Sequence, residues 1–131
     1  MDFSNIDVEA WADEGAEMCV KHPVTGSLLE DANGENVSIW LKGLDSPEAK
    51  SIAKAASNAL QNGDNAKLEK QGLDLLAKIT MKWSNVSWEG KALECNPKNV
   101  RFFYKKRDWV AAQVLEFAKN RHNFFTEPQS D

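Results

Sequence analysis

Cys19-x2-His22, with Cys95 and His122 further along, is the set of residues here whose types best match a defined chemistry. Two thiolates and two imidazoles would complete a tetrahedral zinc site. The spacing argues against one. Zinc motifs gather their ligands in local pairs, and nothing brackets Cys95 and His122 as a knuckle. The plainer reading is a strand thiol, a turn histidine, a buried thiol near a helix cap and a surface histidine. In a reducing cytosol the two cysteines are expected as free thiols, and nothing in the sequence supports a Cys19–Cys95 bridge. No metal and no cofactor is expected.

Covalent and phosphate chemistry fare no better. Neither histidine accompanies a nucleophile in a recognisable motif, and there is no Gly-rich phosphate loop. Twenty acids make some close carboxylate pair inevitable, so such a pair would carry little information. The expectation is a protein that is not an enzyme. Nucleic-acid binding has better ingredients: Lys98, Arg101, Lys105, Lys106, Arg107, Lys119 and Arg121 interleave with Phe102, Phe103, Tyr104 and Trp109. Against it, those aromatics fit helix-core spacing, and the net charge of −4 opposes phosphate. A small nucleic-acid-binding regulatory module using the basic C-terminal half is kept as the alternative reading.

Charge is unevenly spread. Residues 1–48 hold eleven acids against Lys21 and Lys42, a net of −9, and residues 49–131 hold nine acids against fourteen bases, a net of +5. An acidic front and a basic back can pair within one molecule or between neighbours. Five tryptophans in 131 residues is rich, and the flanks of Trp83 and Trp88 are polar. Tryptophan is a favoured anchor at contact surfaces. Trp83, Trp88, Phe102 and Trp109 are therefore the candidate partner-binding residues, and Trp40 is a similar case.

The elements that must position these residues fit one domain, for which 131 residues suffice without a staple. Residues 1–15 read as a short amphipathic helix or an arm, stopped by Gly15. Ala16–His22 and Val37–Leu41 alternate as half-buried strands and form a long-looped hairpin across turns at His22-Pro23 and Asp31-Ala32-Asn33-Gly34. Ser46-Pro47 opens a helix whose stripe is Ala49, Ile52, Ala53, Ala56 and Leu60. Asn62-Gly63 ends it. Asp64 or Asn65 caps the next, with Leu68, Gly72, Leu75, Leu76 and Ile79 inward, giving an antiparallel helical hairpin. Trp83–Glu94 reads as two brief extended pieces turning at Glu89-Gly90. Asn96-Pro97 starts a helix carrying Val100, Phe103 and Tyr104. Asp108 caps a last helix with Val110, Val114, Phe117 and Ala118 inward. The expected fold is α+β, a mainly helical single domain over 1–125 with an N-terminal β-hairpin, and a flexible tail at 126–131. No apolar run approaches the roughly 18 residues of a membrane span. The start, Met-Asp-Phe-Ser-Asn, lacks the features of a secretion signal, so the chain reads as cytosolic.

Two blocks carry a resemblance. One is Val20-x-His22-Pro23-x-Thr25-Gly26-x-Leu28, Val37-x-Ile39-x-Leu41 and Gly43-x-Asp45-Ser46. The other is Trp83, Gly90, Leu93, Asn96-Pro97-x-Asn99, Trp109-Val110-x2-Gln113-Val114, Phe117 and Arg121-x-Asn123-Phe124. In this order they resemble the tail assembly chaperones of long-tailed siphophages, framing nearly the whole chain with packing and turn residues. The resemblance implies a non-catalytic protein that binds the long, largely helical tape measure protein. It would keep that client's apolar surface from aggregating until tail tube subunits polymerise around it. Tail tube protein is a further candidate partner. The resemblance also implies work in the cytoplasm of the bacterial host, absence from the finished virion, and often a longer frameshifted version. Relatives tend to carry an aliphatic or aromatic residue, often with Ser, where Cys95-Asn96 stands, and Pro where Asp108 stands. Both departures keep a helix cap, so they bear on partner specificity more than on fold.

For such a role the charge split suggests self-association. Glu9, Asp13, Glu14 and Glu17 of one protomer would lie near Lys105, Lys106 and Arg107 of another. That head-to-tail contact gives a homo-oligomer, either a ring or an open array.

Overall fold

The computed structural model describes residues 1–125, and the tail expected at 126–131 lies outside them. The Asp7 carboxylate accepts the Ala10 amide at 3.0 Å and so caps helix α1, Val8–Glu14, which stops at Gly15. Strands β1 (Ala16–Cys19) and β2 (Ser38–Leu41) then pair antiparallel, with Met18 opposite Ile39. The expected hairpin forms, and its long connection is itself folded. Lys21 bridges Leu28, and Glu30 bridges Asn36. His22 Nδ1 accepts the amides of Val24 and Thr25 at 3.1 and 3.2 Å, and Asp31 Oδ1 accepts those of Asn33 and Glu35 at 2.8 and 2.9 Å.

Two helices follow, α2 (Pro47–Gln61) and α3 (Asn65–Ile79). Pro47 sits in the first turn as expected, but Ser46 does not cap. Its hydroxyl is buried and has no hydrogen-bond partner. Asp64 does cap α3, accepting the Lys67 amide at 3.0 Å. The helices pack on each other, yet between Lys50 and Lys78 no described side chain is fully buried.

The chain then enters strand β3 (Thr80–Ser84), which pairs with the free side of β2 to give the order β1-β2-β3. This third strand corrects the sequence reading. No turn residue separates Thr80-Met81-Lys82 from the helix before it, so only pairing with β2 decides their conformation. Strands β4 (Ser87–Trp88) and β5 (Lys91–Ala92) form a tight hairpin as expected. Glu89 and Gly90 at its tip have φ of 49° and 82°, the double positive φ that such two-residue turns need.

Asn96 accepts the Asn99 amide at 2.9 Å and opens helix α4, Pro97–Lys106. Helix α5, Asp108–Lys119, begins almost at once. Asp108 lies within its first turn, where an acid suits the helix dipole, but makes no capping bond, contrary to expectation. A 3-10 turn at Arg121–Phe124 closes the described chain.

The core lies between the sheet and helices α4 and α5. Ile39, Leu41, Ile79 and Val114 are wholly buried there, with Val100, Tyr104 and Val110 nearly so. The Thr80 hydroxyl gives its single proton to the Leu76 carbonyl at 2.7 Å, so the Tyr104 hydroxyl 2.8 Å away must donate to Thr80. Burial holds the Tyr104 phenol far above its usual range, so it stays a donor. Both ends of the chain meet at Gly43. Its amide donates to Ala12, that of Leu44 donates to Ala118, and a Cβ on Gly43 would stand 2.9 Å from Ala12 Cβ and 3.1 Å from the Phe124 ring. The architecture is α+β and mainly helical. Among the described residues no helix is long and apolar enough to cross a membrane.

Candidate binding groove

Strand β4 carries Trp88 and the first turn of α5 carries Trp109, and both indoles line one open groove of about 630 Å³. Its floor is apolar, from buried Val20, Val86, Phe103 and Val110, and Glu30, Asp31 and Ala32 line its rim. Phe102 packs edge-on against Trp88 with ring centroids 5.1 Å apart, and the Arg107 guanidinium carbon lies 4.7 Å from the Trp88 centroid. Both tryptophans are half-buried, as rigid anchors at a contact surface tend to be.

Trp83 is placed differently. Its ring packs edge-on against Phe103, and its Nε1–H donates to the Leu93 carbonyl at 2.7 Å. That bond ties the segment after β5 to the sheet, and Trp83 does not line the groove. Of the four candidate anchors, Trp88 and Trp109 share the groove and Phe102 buttresses Trp88. Trp83 stands apart. Trp40 faces away from the core, with Lys82 Nζ 4.7 Å over its ring.

The charged candidates are partly engaged within the chain. Glu9 pairs with Lys50 at 3.5 Å. Lys42 binds Asp13 at 3.0 Å and Glu48 at 3.1 Å, and these bonds, Asp13 foremost, raise its pKa. Glu14, Glu17, Lys105 and Lys106 are exposed and make no ion pair within 4.0 Å among the described residues. Arg107 is spent on Trp88 and on the Lys106 carbonyl, to which it donates at 2.8 Å. Within the basic half, Arg101 binds Asp74 at 3.1 Å, and Arg121 grips Asp45 through bonds of 2.7 and 3.0 Å.

Gln113 is a residue whose importance sequence reasoning missed. Val20 turns its N–H toward Val37 and its carbonyl toward Leu29, so by strand alternation Lys21 points both groups outward. Gln113 on α5 meets them, its Oε1 accepting the Lys21 amide at 3.0 Å and its Nε2 donating to the Lys21 carbonyl at 2.8 Å. A side-chain amide thus replaces one rung of a neighbouring strand. The available signal was a polar residue on the stripe of Val110, Val114 and Phe117, where helical spacing points inward. A second groove, about 640 Å³, lies beside this contact and is lined by His22, Leu28, Glu116 and Phe117 among others.

Cys19 and Cys95 are free thiols, Cys19 lies 3.7 Å from the Ser38 hydroxyl, and burial raises the pKa of Cys95. His22 already commits Nδ1 to two amides. Among the described residues no three His, Cys, Asp or Glu side chains gather as a metal site. Comparison with models of protein families, with curated proteins and with solved structures finds no match for this chain.

Proposed function

We propose that this chain is a phage tail assembly chaperone that binds the tape measure protein, with the groove between Trp88 and Trp109 as its client face. The observation that carries the reading is that groove: two half-buried indoles over an apolar floor, open to solvent. An extended client needs a repeated apolar seat of this kind and no energy source. The sequence resemblance supplies the identity of the client. Residues from its two blocks also meet in space, as Arg121 with Asp45 and Phe124 against Gly43. The residues behind the resemblance therefore build one frame.

Self-association forms part of the proposal. Since Glu9, Asp13 and Arg107 have partners within the chain, the head-to-tail contact rests first on Glu14 and Glu17 meeting Lys105 and Lys106. Exposed pairs are screened by salt. Light scattering at about 50 mM and at high salt should then show multimers that shrink as salt rises. One mass at both salts removes the electrostatic contact. Co-expression with a tape measure protein tests the client: the reading expects a soluble complex, and retention of a nucleic acid in its place would favour the alternative module.

A further inference from the structure

The rim of the aromatic groove carries a charge pattern that client binding by apolar contact leaves unused. Glu30, Asp31 and Glu89 line it, and none of the three meets a cation within 4.0 Å among the described residues. Arg107 is the cation among the lining residues, and it is stacked on Trp88 and donates to Lys106. Carboxylates therefore outnumber cations around two indole rings.

We propose that this groove takes a cationic amphipathic segment of its client. Apolar residues of that segment seat on half-buried Leu29, Val37 and Trp109, and a lysine or arginine side chain lies between the Trp109 ring and the Glu30 rim. Each part has a physical basis. Indole faces attract cations, rim carboxylates steer and select a basic partner, and the half-buried Leu29, Val37 and Trp109 gain from losing water. An acidic segment would meet like charge on the rim. This inference rests on the groove being the client face and adds the chemistry of the segment bound there.

Calorimetry on the full chain tests it, using two synthetic helical peptides with one apolar stripe and either lysines or glutamates on the polar face. The lysine peptide should bind at least about 10-fold more tightly at low salt, and the preference should shrink at high salt. Glu30→Gln combined with Glu89→Gln removes two carboxylates that make no hydrogen bond among the described residues, and should weaken the lysine peptide by about 5-fold. Equal affinity for both peptides, or no response to the double substitution, overturns the charge preference. Salt-sensitive dimers blocked by the same double substitution without peptide would overturn it too, making a second copy the occupant. Trp109→Ala separates the two layers. If it weakens the client complex while the two peptides bind the parent chain equally, the groove stands and only the charge inference falls. If it leaves the client complex intact, the groove reading itself fails.

Discussion

The two large grooves differ by little in volume, about 630 and 640 Å³, yet their side chains are engaged differently. Beside one, the side-chain amide of Gln113 holds the Lys21 backbone at both its polar groups. The other places half-buried Trp88 and Trp109 over an apolar floor, with Arg107 across one ring. The first spends its specific contacts inside the molecule, and the second leaves its indole surface available. Volume does not identify a binding site. What counts is which groups are still unspent.

Substitutions on each side can break that contrast. Trp109→Ala should have the largest effect, weakening client binding by about 30-fold or more, as loss of an aromatic hot spot does. A pull-down titration reads it, with circular dichroism confirming the fold. Gln113→Ala should act in the opposite sense. It strips Lys21 of both partners and should cost about 1–2 kcal/mol of stability in a denaturant melt, with client affinity unchanged. Tyr104 lines neither groove, so Tyr104→Phe sharpens the comparison as a control. It loses the bond to Thr80, orphans no donor, and should cost about 1 kcal/mol while sparing both surfaces.

The smallest effect is in pH. The Arg121 hydrogen bonds hold the Asp45 carboxyl below its ordinary pKa, so this pair stabilises the fold above about pH 4 and is lost as pH falls through the lowered value. Asp45 and Arg121 line a separate small crevice with Trp11 and Phe124, so acid should loosen that side first. Arg121→Ala should flatten the acid limb of a stability–pH curve. An unchanged limb would mean the pair contributes nothing.

Much of the fold was legible because local signals and tertiary packing agree. Asp64 and Asn96 sit at helix starts and cap them, Glu89-Gly90 turns, and the stripe of Val110, Val114 and Ala118 goes inward. Signals failed where a neighbour decides. Ser46 has a capping residue type but its hydroxyl is buried away from the amides, and Thr80–Ser84 becomes a strand only because β2 offers an edge. The candidate site was half legible. Trp88, Phe102 and Trp109 stand out by type, whereas the rim from Glu30 and Asp31 comes from far along the chain and is joined only by folding. Trp83 shares their type, but its indole N–H is taken by Leu93. No local pattern announces that.

The most direct measurement is co-purification of the tape measure protein with the parent chain, with Trp109→Ala and with Gln113→Ala, all shown folded by circular dichroism. If the aromatic groove is the client face, the parent and Gln113→Ala retain the client in soluble form and Trp109→Ala loses it. Retention by Trp109→Ala at the parent level, or loss with Gln113→Ala alone, contradicts that assignment.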